Sequence, residues 1–221
     1  MITRVFFAAR RPDLTTEACL AHWRGHHSAI GARLPGVRGY VQNHGVLAEG
    51  RFLLPYPGFD IMPELDWENL AAMDAAIDSP VHEKDSVDDE ANFIDASRTG
   101  YAVATRHVLL GGDPGTNSVK LITLLRRAPA ATEAALGDVL AGPYAAAVAA
   151  GRPIRHEALI TLPDRVGRPP FSVQAIDMLW FDSPDDALAW SKSDTAYQAA
   201  WHLAGVAFGA ERLIARPSLV V

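Results

Sequence analysis

The feature of this sequence that most constrains its fold is a weak internal repeat at an offset of about half the chain. Four short segments of the first half recur in the same order in the second half, displaced by 115 to 117 residues (126 − 10 and 132 − 16, for example, both give 116). The paired segments are 9–12 with 125–128, 16–18 with 132–134, 59–61 with 176–178, and 91–93 with 206–208. Such regular spacing indicates that one structural unit is present twice. We therefore predict two units, residues 1–110 and 119–221, joined by a linker of turn-forming residues over 111–118.

Each predicted unit has the element order β-α-β-β-α-β. Residues 3–9 are β-branched and aromatic, which is typical of a strand, and apolar residues at steps of three and four mark the helix that follows. These apolar positions are Leu20, Trp23, His27, Ile30 and Leu34. The remaining predictions are strands at 39–46, 59–65 and 102–110 with helices at 67–77 and 88–94, and in the second unit strands at 119–125, 155–162, 171–181 and 211–216 with helices at 132–150 and 184–190.

This element order is that of the ferredoxin-like α+β unit. Its helices cover one face of a four-stranded sheet and leave the other face open, so two units can bury their open faces against each other. The predicted fold class is therefore α+β, with two ferredoxin-like repeats that form an intramolecular dimeric α+β barrel.

The composition excludes several classes of function. The net charge is −6 and the basic residues do not cluster, which argues against nucleic acid and anionic membranes as partners. Cys19 is the only cysteine, so an internal disulfide and a cysteine-rich metal site are excluded. No apolar run approaches the ~20 residues that cross a bilayer, and the N-terminal arginines follow a short apolar run, the reverse of a signal peptide. We expect a cytoplasmic protein without a phosphate-binding glycine loop or a serine-hydrolase motif.

Several short motifs follow one another in the first unit. Residues 23–28 (Trp-Arg-Gly-His-His-Ser) fit the pattern Trp-Arg-x-x-His-small. After them come Leu-Pro-Gly at 34–36, Tyr-Val-Gln-Asn-His at 40–44, Phe-Asp at 59–60, Glu-Leu at 64–65, Ser-Pro at 79–80 and Asp-Glu at 89–90. This succession resembles the EthD family, within the dimeric α+β barrel superfamily, over about residues 3–110. The second unit carries Gly-Pro-Tyr at 142–144 where Trp and His would be aligned, so it is interpreted as a degenerate repeat.

The resemblance implies the barrel fold more strongly than an activity, and the function favoured for it is a small-molecule enzyme that needs no cofactor. Members of the superfamily include polyketide cyclases, decarboxylases, dehydratases, isomerases, cofactor-free monooxygenases and some haem enzymes. The favoured hypothesis is acid–base chemistry on an aromatic, polyketide-like or other carbonyl compound. One alternative is a non-catalytic binding or accessory protein for an apolar metabolite, and another is a barrel that uses haem or oxygen. Besides the substrate, this interpretation allows one further partner. That partner is a second copy of the chain, in a homodimer.

His27 is the first candidate for acid–base chemistry. It lies on the apolar face of the predicted first helix, which faces the sheet. A half-buried neutral imidazole can accept or donate a proton near pH 7. The alternative is a core histidine that is hydrogen-bonded to the backbone. Trp23, on the same face and in the same motif, is predicted to contact the substrate.

Alternation along two strands supplies the other candidates. They are Tyr40, Gln42 and His44 on the second strand and Asp60, Met62 and Glu64 on the third. If these strands are neighbours, the side chains form one polar patch of the barrel wall. The histidine is then a second acid–base candidate, the tyrosine donates to an enolate oxygen, a carboxylate orients the others, and the glutamine and methionine contact the substrate. The alternative for the two carboxylates is a structural ion pair or a pair of charges at the rim. Whether the helix and these strand faces share a cavity is left open.

The sequence predicts no metal site. His22 and His26 have a spacing that can bind a metal, but two ligands do not make a site and no glutamate follows His22. We expect both to face solvent. The acidic stretch 78–95 is interpreted as a solvated face in which Asp89 and Glu90 cap a short helix.

Overall fold

A computed structural model describes residues 1–167 and 172–221 of the chain. The elements of the first half are β1 (Ile2–Arg10), α1 (Thr16–His22), a π-helical turn (Trp23–His27), α2 (Ser28–Gly31), β2 (Gly39–Gly45), β3 (Leu47–Ala48), β4 (Arg51–Phe52), β5 (Pro63–Trp67), α3 (Leu70–Ile77), a second π-helical turn (Val81–Ser86), α4 (Val87–Glu90) and β6 (Ile94–Leu110). Those of the second half are β7 (Val119–Arg127), α5 (Glu133–Val139), a third π-helical turn (Leu140–Tyr144), α6 (Ala145–Ala150), β8 (Arg155–Val166), β9 (Ala175–Phe181), α7 (Pro184–Ser191), α8 (Asp194–His202) and β10 (Ala207–Leu219).

Some element bounds differ from those predicted. β5 begins at Pro63 rather than at residue 59, and β6 begins at Ile94, inside the predicted short helix. Helix α8 was missed because Ala199 is its only buried residue, so no apolar periodicity marks it in the sequence. The first residue of the predicted strand 171–181 lies outside the described residues.

Eight strands close into a barrel in the order β1-β5-β2-β10-β7-β9-β8-β6. All neighbouring strands are antiparallel. Each half contributes a four-stranded sheet, and the sheets join where β2 pairs with β10 and where β6 pairs with β8. Closure leaves no free sheet edge among these strands. The predicted fold class, two ferredoxin-like units in one intramolecular α+β barrel, is confirmed.

The apolar core is divided by the two sheets. Inside the barrel, side chains from both halves form one cluster that includes Val5, Phe7, Ile122 and Met178. Outside it, separate clusters fill the space between each sheet and its own helices. A functional site in this fold can therefore lie inside the barrel or in one of the two helix-covered layers.

The first helix of each half begins in the same way. The Thr15 side chain accepts a hydrogen bond from the Ala18 N–H, and the Thr132 side chain accepts one from the Ala135 N–H. A threonine in extended conformation at this position satisfies one of the free N–H groups of a helix start. In the part of the chain that the structure describes, none of these helices is long and apolar enough to span a membrane.

Candidate active site in the first half

A π-helical turn brings two histidines of the first helix onto one carboxylate. The Ser28 N–H donates to the Trp23 carbonyl, five residues earlier, so side chains five residues apart share a face. His22 and His27 are separated by this interval, and both reach Asp89 of α4. The His22 Nε2 lies 2.9 Å from Asp89 Oδ1, and the His27 Nδ1 lies 2.9 Å from Oδ2. Regular α-helical spacing would have pointed the two rings in different directions.

Asp89 determines which nitrogen of His27 is available for chemistry. The carboxylate accepts the Nδ1 proton, which leaves Nε2 unprotonated in the neutral ring. Burial lowers the pKa of His27, and the nearby Asp89 carboxylate only partly opposes that decrease. Burial would raise the pKa of Asp89, but the hydrogen bonds from His27 and His22 outweigh it and lower that pKa. At neutral pH the pair is therefore a neutral imidazole held by an ionised carboxylate.

His27 lines a small cavity between the first sheet and its helices. The cavity has a volume of about 40 Å³, enough for roughly three water molecules. Its other lining residues are Arg4, Phe6, Gly31, Leu34, Tyr40, Pro63, Leu65, His82, Ser86 and Glu90. Arg4, Phe6, His82 and Glu90 are only partly buried, so the cavity is near the surface. The predicted residues His27 and Tyr40 thus share one cavity.

A row of hydrogen bonds runs along β2 behind this cavity. The Gln42 Nε2 donates to the Tyr40 Oη and to the Trp23 carbonyl, both at 2.9 Å, and the Gln42 Oε1 lies 2.9 Å from the His44 Nε2. Because the phenol oxygen accepts from Gln42, the Tyr40 O–H remains available to donate. Burial raises the pKa of Tyr40 to about 12, so it keeps this proton at neutral pH. Tyr40 packs directly on Gly31, where a Cβ would come within 2.6 Å of its ring.

His44 lies away from the cavity, packed on the Trp23 ring with the ring centroids 4.6 Å apart. Burial lowers the pKa of His44 to about 4, so it is neutral at pH 7. Its Nδ1 is buried without a hydrogen-bond partner. Of the residues predicted on β2, only Tyr40 reaches the cavity; Gln42 and His44 support it from behind. The role of His44 as a general acid or base stays a prediction.

Glu90 adds a second group that titrates near neutral pH. It lines the cavity one residue after Asp89, and burial raises its pKa to about 7, with the Arg4 charge partly opposing the rise. The Ser86 Oγ donates to it at 3.4 Å. The pKa values of these two neighbouring acidic residues thus shift in opposite directions. Hydrogen bonds from His27 and His22 lower the pKa of Asp89, whereas burial raises that of Glu90.

The prediction that both strand faces form one polar patch is wrong. In the β2–β5 register, Tyr40 is opposite Leu65 and Val41 is opposite Glu64, so the glutamate points to the opposite side of the sheet from the tyrosine. Glu64 and Met62 face the barrel interior instead. There the Glu64 carboxylate accepts hydrogen bonds from Lys120 at 2.5 Å and from Arg106 and Asn43, both at 2.8 Å. This is the structural ion pair that the sequence left as the alternative for Glu64.

Asp60 lies in a third place because the third strand bulges. The N–H groups of Asp60 and Ile61 both donate to the Ala8 carbonyl, so the alternation that groups Asp60 with the residues after it is lost. The Asp60 carboxylate accepts hydrogen bonds from the Tyr56 hydroxyl at 2.7 Å and from the Arg10 N–H at 2.9 Å. It connects β1 to the loop before β5 and does not reach the cavity that His27 lines.

The histidine cluster is not arranged as a metal site. Among residues 1–167 and 172–221, no three histidine, cysteine or acidic side chains are placed to hold a metal ion. His22 is only partly exposed and bonded to Asp89, which corrects the expectation that it faces solvent; His26 does face solvent, with 70% of its side chain exposed. Cys19 is buried, and burial raises the pKa of its thiol to about 12.

Three members of this site are not predicted from the sequence: Asp89, Glu90 and Arg4. The two acidic residues belong to the motif series, but an acidic stretch of this kind resembles a solvated face, and the carboxylate that meets the histidines comes from an element about 60 residues later. The signal that was available is the spacing of His22 and His27, which matches a π-helix rather than an α-helix.

Comparisons with known proteins agree with this fold. Residues 11–97 match the family model of the EthD domain. No curated protein sequence matches the chain significantly. Among solved structures, an anthrone oxidase-like protein has a TM-score of 0.68 at 12% identity, covering 99% of this chain and 92% of that one. A protein of Fusobacterium nucleatum assigned as a monooxygenase scores 0.57 at 9% identity (coverage 100% and 92%), and a chlorite dismutase variant of Candidatus Nitrospira defluvii scores 0.55 at 9% (99% and 92%). At these identities the similarity shows the fold alone.

Proposed function

We propose that the protein is an enzyme that removes a proton next to the carbonyl group of a small molecule. The match of residues 11–97 to the family model of the EthD domain supports this proposal. The observation that carries this proposal is the hydrogen bond between His27 Nδ1 and Asp89 at the edge of a cavity that Tyr40 also lines. It makes Nε2 the basic atom of a neutral imidazole. Cyclisation, dehydration and isomerisation of carbonyl compounds all use this step.

Side chains of this protein can account for every proton and electron pair that moves in the proposed step. The His27 Nε2 takes the proton from the carbon next to the carbonyl, and the electron pair of that C–H bond moves to the carbonyl oxygen. The Tyr40 hydroxyl and protonated Glu90 are hydrogen-bond donors for the resulting enolate, and the Arg4 charge stabilises it. Return of the proton to another atom of the substrate completes the reaction without an oxidant or reductant.

The size of the cavity limits what it encloses. A volume of about 40 Å³ accommodates a carbonyl group and its neighbouring carbon, not a whole polyketide. An aromatic or polyketide-like substrate would place its carbonyl end in the cavity and its remainder at the surface near Phe6. The proposal therefore concerns a carbonyl end group, whatever the rest of the substrate is.

Proton exchange in D₂O tests the proposal without knowledge of the natural product. The probes are acetone and 1-phenylpropan-2-one, and the signal is loss of their α-proton resonances in ¹H NMR. We expect the protein to accelerate exchange beyond the buffer rate and beyond that of a His27→Gln variant. Saturable binding of the probes without exchange would contradict the enzyme proposal and support the alternative of an accessory binding protein.

The haem alternative finds little support in the larger cavities. Three cavities of about 430, 490 and 480 Å³ are lined by described residues, and no histidine lines any of them. Two histidines, His27 and His82, line the small cavity, whose volume of about 40 Å³ is far too small for a porphyrin. His26 lines a further cavity of about 380 Å³, but apart from Ile30 the other side chains of that cavity are polar or charged, unlike the apolar lining that a large aromatic ligand needs. The residues present therefore do not fit a haem with a histidine ligand.

Removing the Asp89 carboxylate is expected to lower the rate without preventing binding. In Asp89→Asn the His27 Nδ1 loses its charged acceptor, so the ring is free to place its proton on Nε2 and lose the basic atom. We expect kcat for exchange to fall by about 10²-fold or more while KM changes little. Asp88→Asn, the same change at the exposed neighbouring residue, is the control. Equal rates for the two variants would contradict the positioning role of Asp89.

The pH profile of exchange reports on Glu90. A protonated Glu90 is required as the donor, so the rate should decrease as pH rises through about 7, the pKa to which burial raises it. The rate should also decrease at acid pH as His27 protonates, below the ordinary pKa of 6.5. In Glu90→Gln the alkaline decrease should disappear, whereas Glu83→Gln, at an exposed position, should retain it. An alkaline limb that persists in Glu90→Gln would exclude Glu90 as the donor.

A further inference from the structure

The second half has a π-helical turn at the position equivalent to that of the first half. The turn Leu140–Tyr144 follows Trp23–His27 by 117 residues (140 − 23 and 144 − 27). The two capping threonines, Thr15 and Thr132, have the same separation (132 − 15). Tyr144 therefore occupies the place of His27. The motif comparison by sequence shows only that Trp and His are absent here.

The strand beside this turn shows the reciprocal exchange. Tyr40 on β2 is opposite Leu65 on β5, and His156 on β8 is opposite Leu179 on β9. Both leucines are in turn opposite equivalent positions of the first strand of their half, Arg4 and Leu121 (121 − 4 is again 117). His156 thus stands where Tyr40 stands in the first half. The second half keeps a tyrosine and a histidine at the two positions, in exchanged order.

Asp177 connects the exchanged pair. The Tyr144 hydroxyl donates to Asp177 Oδ2 at 2.6 Å, and the His156 Nε2 lies 2.7 Å from Oδ1. All three side chains are buried, and the His156 Nδ1 has no hydrogen-bond partner. A buried polar atom without a hydrogen-bond partner destabilises the folded state. A purely structural role for the second half therefore does not account for this cluster.

A cleft opens in front of Tyr144. Its volume is about 480 Å³, against about 40 Å³ for the cavity of the first half. Thr123, which lines the cleft, follows Phe6 of the first cavity by 117 residues (123 − 6), so two lining positions are equivalent in the two halves. Helix α8 forms one wall through Tyr197 and Ala200. The cleft is large enough for an aromatic molecule.

The charged side chains that line the cleft favour an anionic ligand. Its charged lining residues are Lys192 and Arg212, and no carboxylate lines it, although the protein has a net charge of −6. Within the described part of the chain, neither cation has an acidic group within 4 Å. The remaining wall supplies a 69% exposed aromatic ring, Tyr197, and the apolar side chains of Leu125 and Leu203.

We propose that the second half binds an aromatic carboxylate in this cleft, with the carboxylate at Lys192 and Arg212 and the ring against Tyr197 and Leu203. The cationic groups supply charge-assisted hydrogen bonds, and the apolar wall supplies the contact area of a ligand ring. This site is separate from the His27 cavity and does not depend on its chemistry.

Calorimetric titration with 2-naphthoate tests the proposal. We expect saturable binding at millimolar concentrations or below, roughly tenfold weaker in the double variant Lys192→Gln/Arg212→Gln. The neutral analogue 2-naphthamide should also bind roughly tenfold more weakly to the unmodified protein. Arg38→Gln removes an exposed cation of the first half and is the matched control, and His27→Gln should bind naphthoate normally.

Several results would overturn this site. Absence of naphthoate binding to the unmodified protein would do so, as would equal affinity for the amide. An affinity unchanged in the double variant, or reduced as much by Arg38→Gln, would show that the anion binds elsewhere. Loss of binding in His27→Gln would assign the ligand to the first cavity instead. The variant Tyr197→Leu retains an apolar side chain but has no ring. It should reduce the affinity for naphthoate more than the affinity for acetate, and an equal reduction would exclude Tyr197 as the contact of the ligand ring.

Discussion

Replacement of His27 by glutamine is expected to reduce the rate of α-proton exchange by about 10²- to 10⁴-fold, the usual contribution of a general base. Glutamine can still hydrogen-bond Asp89 through its amide but has no basic nitrogen. The fold should be retained, because the ring lies at the edge of the cavity beside Phe93 and glutamine is of similar size. The measurement is the initial rate of deuteration of acetone, with circular dichroism to verify folding.

The adjacent residue provides the control for this variant. His26→Gln makes the same chemical change one position earlier, where 70% of the side chain is exposed and the ring is 3.6 Å from Asp89. Its rate should stay within about twofold of the unmodified protein, since it lines no part of the cavity of His27. Equal losses in both variants would mean that the histidines act together through Asp89, and the assignment of His27 as the base would be wrong.

Replacement of Lys120 by methionine is expected to lower the free energy of unfolding by about 3 kcal/mol. Lys120 of β7 and Arg106 of β6 both bind the Glu64 carboxylate inside the barrel, so removing the lysine leaves a buried carboxylate with one cation fewer. Lys120 also lies 5.0 Å from the centre of the Trp180 ring. Urea denaturation measures the loss, and a second substitution, Glu64→Gln, should recover part of it because the unpaired charge is then removed.

An exposed pair that also joins the two halves is the control. Arg165 and Asp74 are bonded at 3.0 Å, with roughly two fifths of each side chain exposed. Arg165→Met should cost less than about 1 kcal/mol, because water replaces the lost partner. If Lys120→Met and Arg165→Met lost the same amount of stability, burial of the Glu64 cluster would not explain the effect of Lys120→Met.

The same cluster sets a pH dependence of stability. Burial would raise the pKa of Glu64, but the charges of Lys120 and Arg106 outweigh it and lower the pKa to about 2, from an ordinary 4.5. The ionised Glu64 carboxylate therefore makes its full contribution to the free energy of unfolding above pH 4.5, and this contribution is lost as pH falls through about 2. In Lys120→Met the folded-state pKa rises, so acid unfolding should begin at a higher pH than in the unmodified protein.

The architecture could be predicted from the sequence because it depends on local patterns and on repetition. Strand and helix periodicity, the helix caps and the constant spacing of the repeated segments each follow from neighbouring residues. Two like units with one open sheet face each can bury those faces against one another. The barrel follows from that burial, whereas its joints, β2 with β10 and β6 with β8, are given only by the structure.

The candidate site could be predicted only in part. His27 and Tyr40 were identified from the motif and from alternation, and they do line one cavity. The common polar patch was wrong, since the β2–β5 register opposes Val41, not Tyr40, to Glu64, and a bulge removes Asp60 from the expected face. A register shift by one residue reverses the face of every side chain, and no local pattern determines it.

The sequence by itself determined the two-unit organisation, the α+β class, the His27 motif and the exclusion of an internal disulfide and a cysteine-rich metal site. All of these depend on residue type and on spacing along the chain. Tertiary structure alone decided which groups meet. Asp89 reaches His22 and His27 across 62 to 67 residues because of the π-helical turn, and Asp177 joins Tyr144 to His156 in the second half. Long-range contacts depend on strand register, bulges and helix winding, each of which is set by packing of the whole barrel rather than by neighbours in the chain.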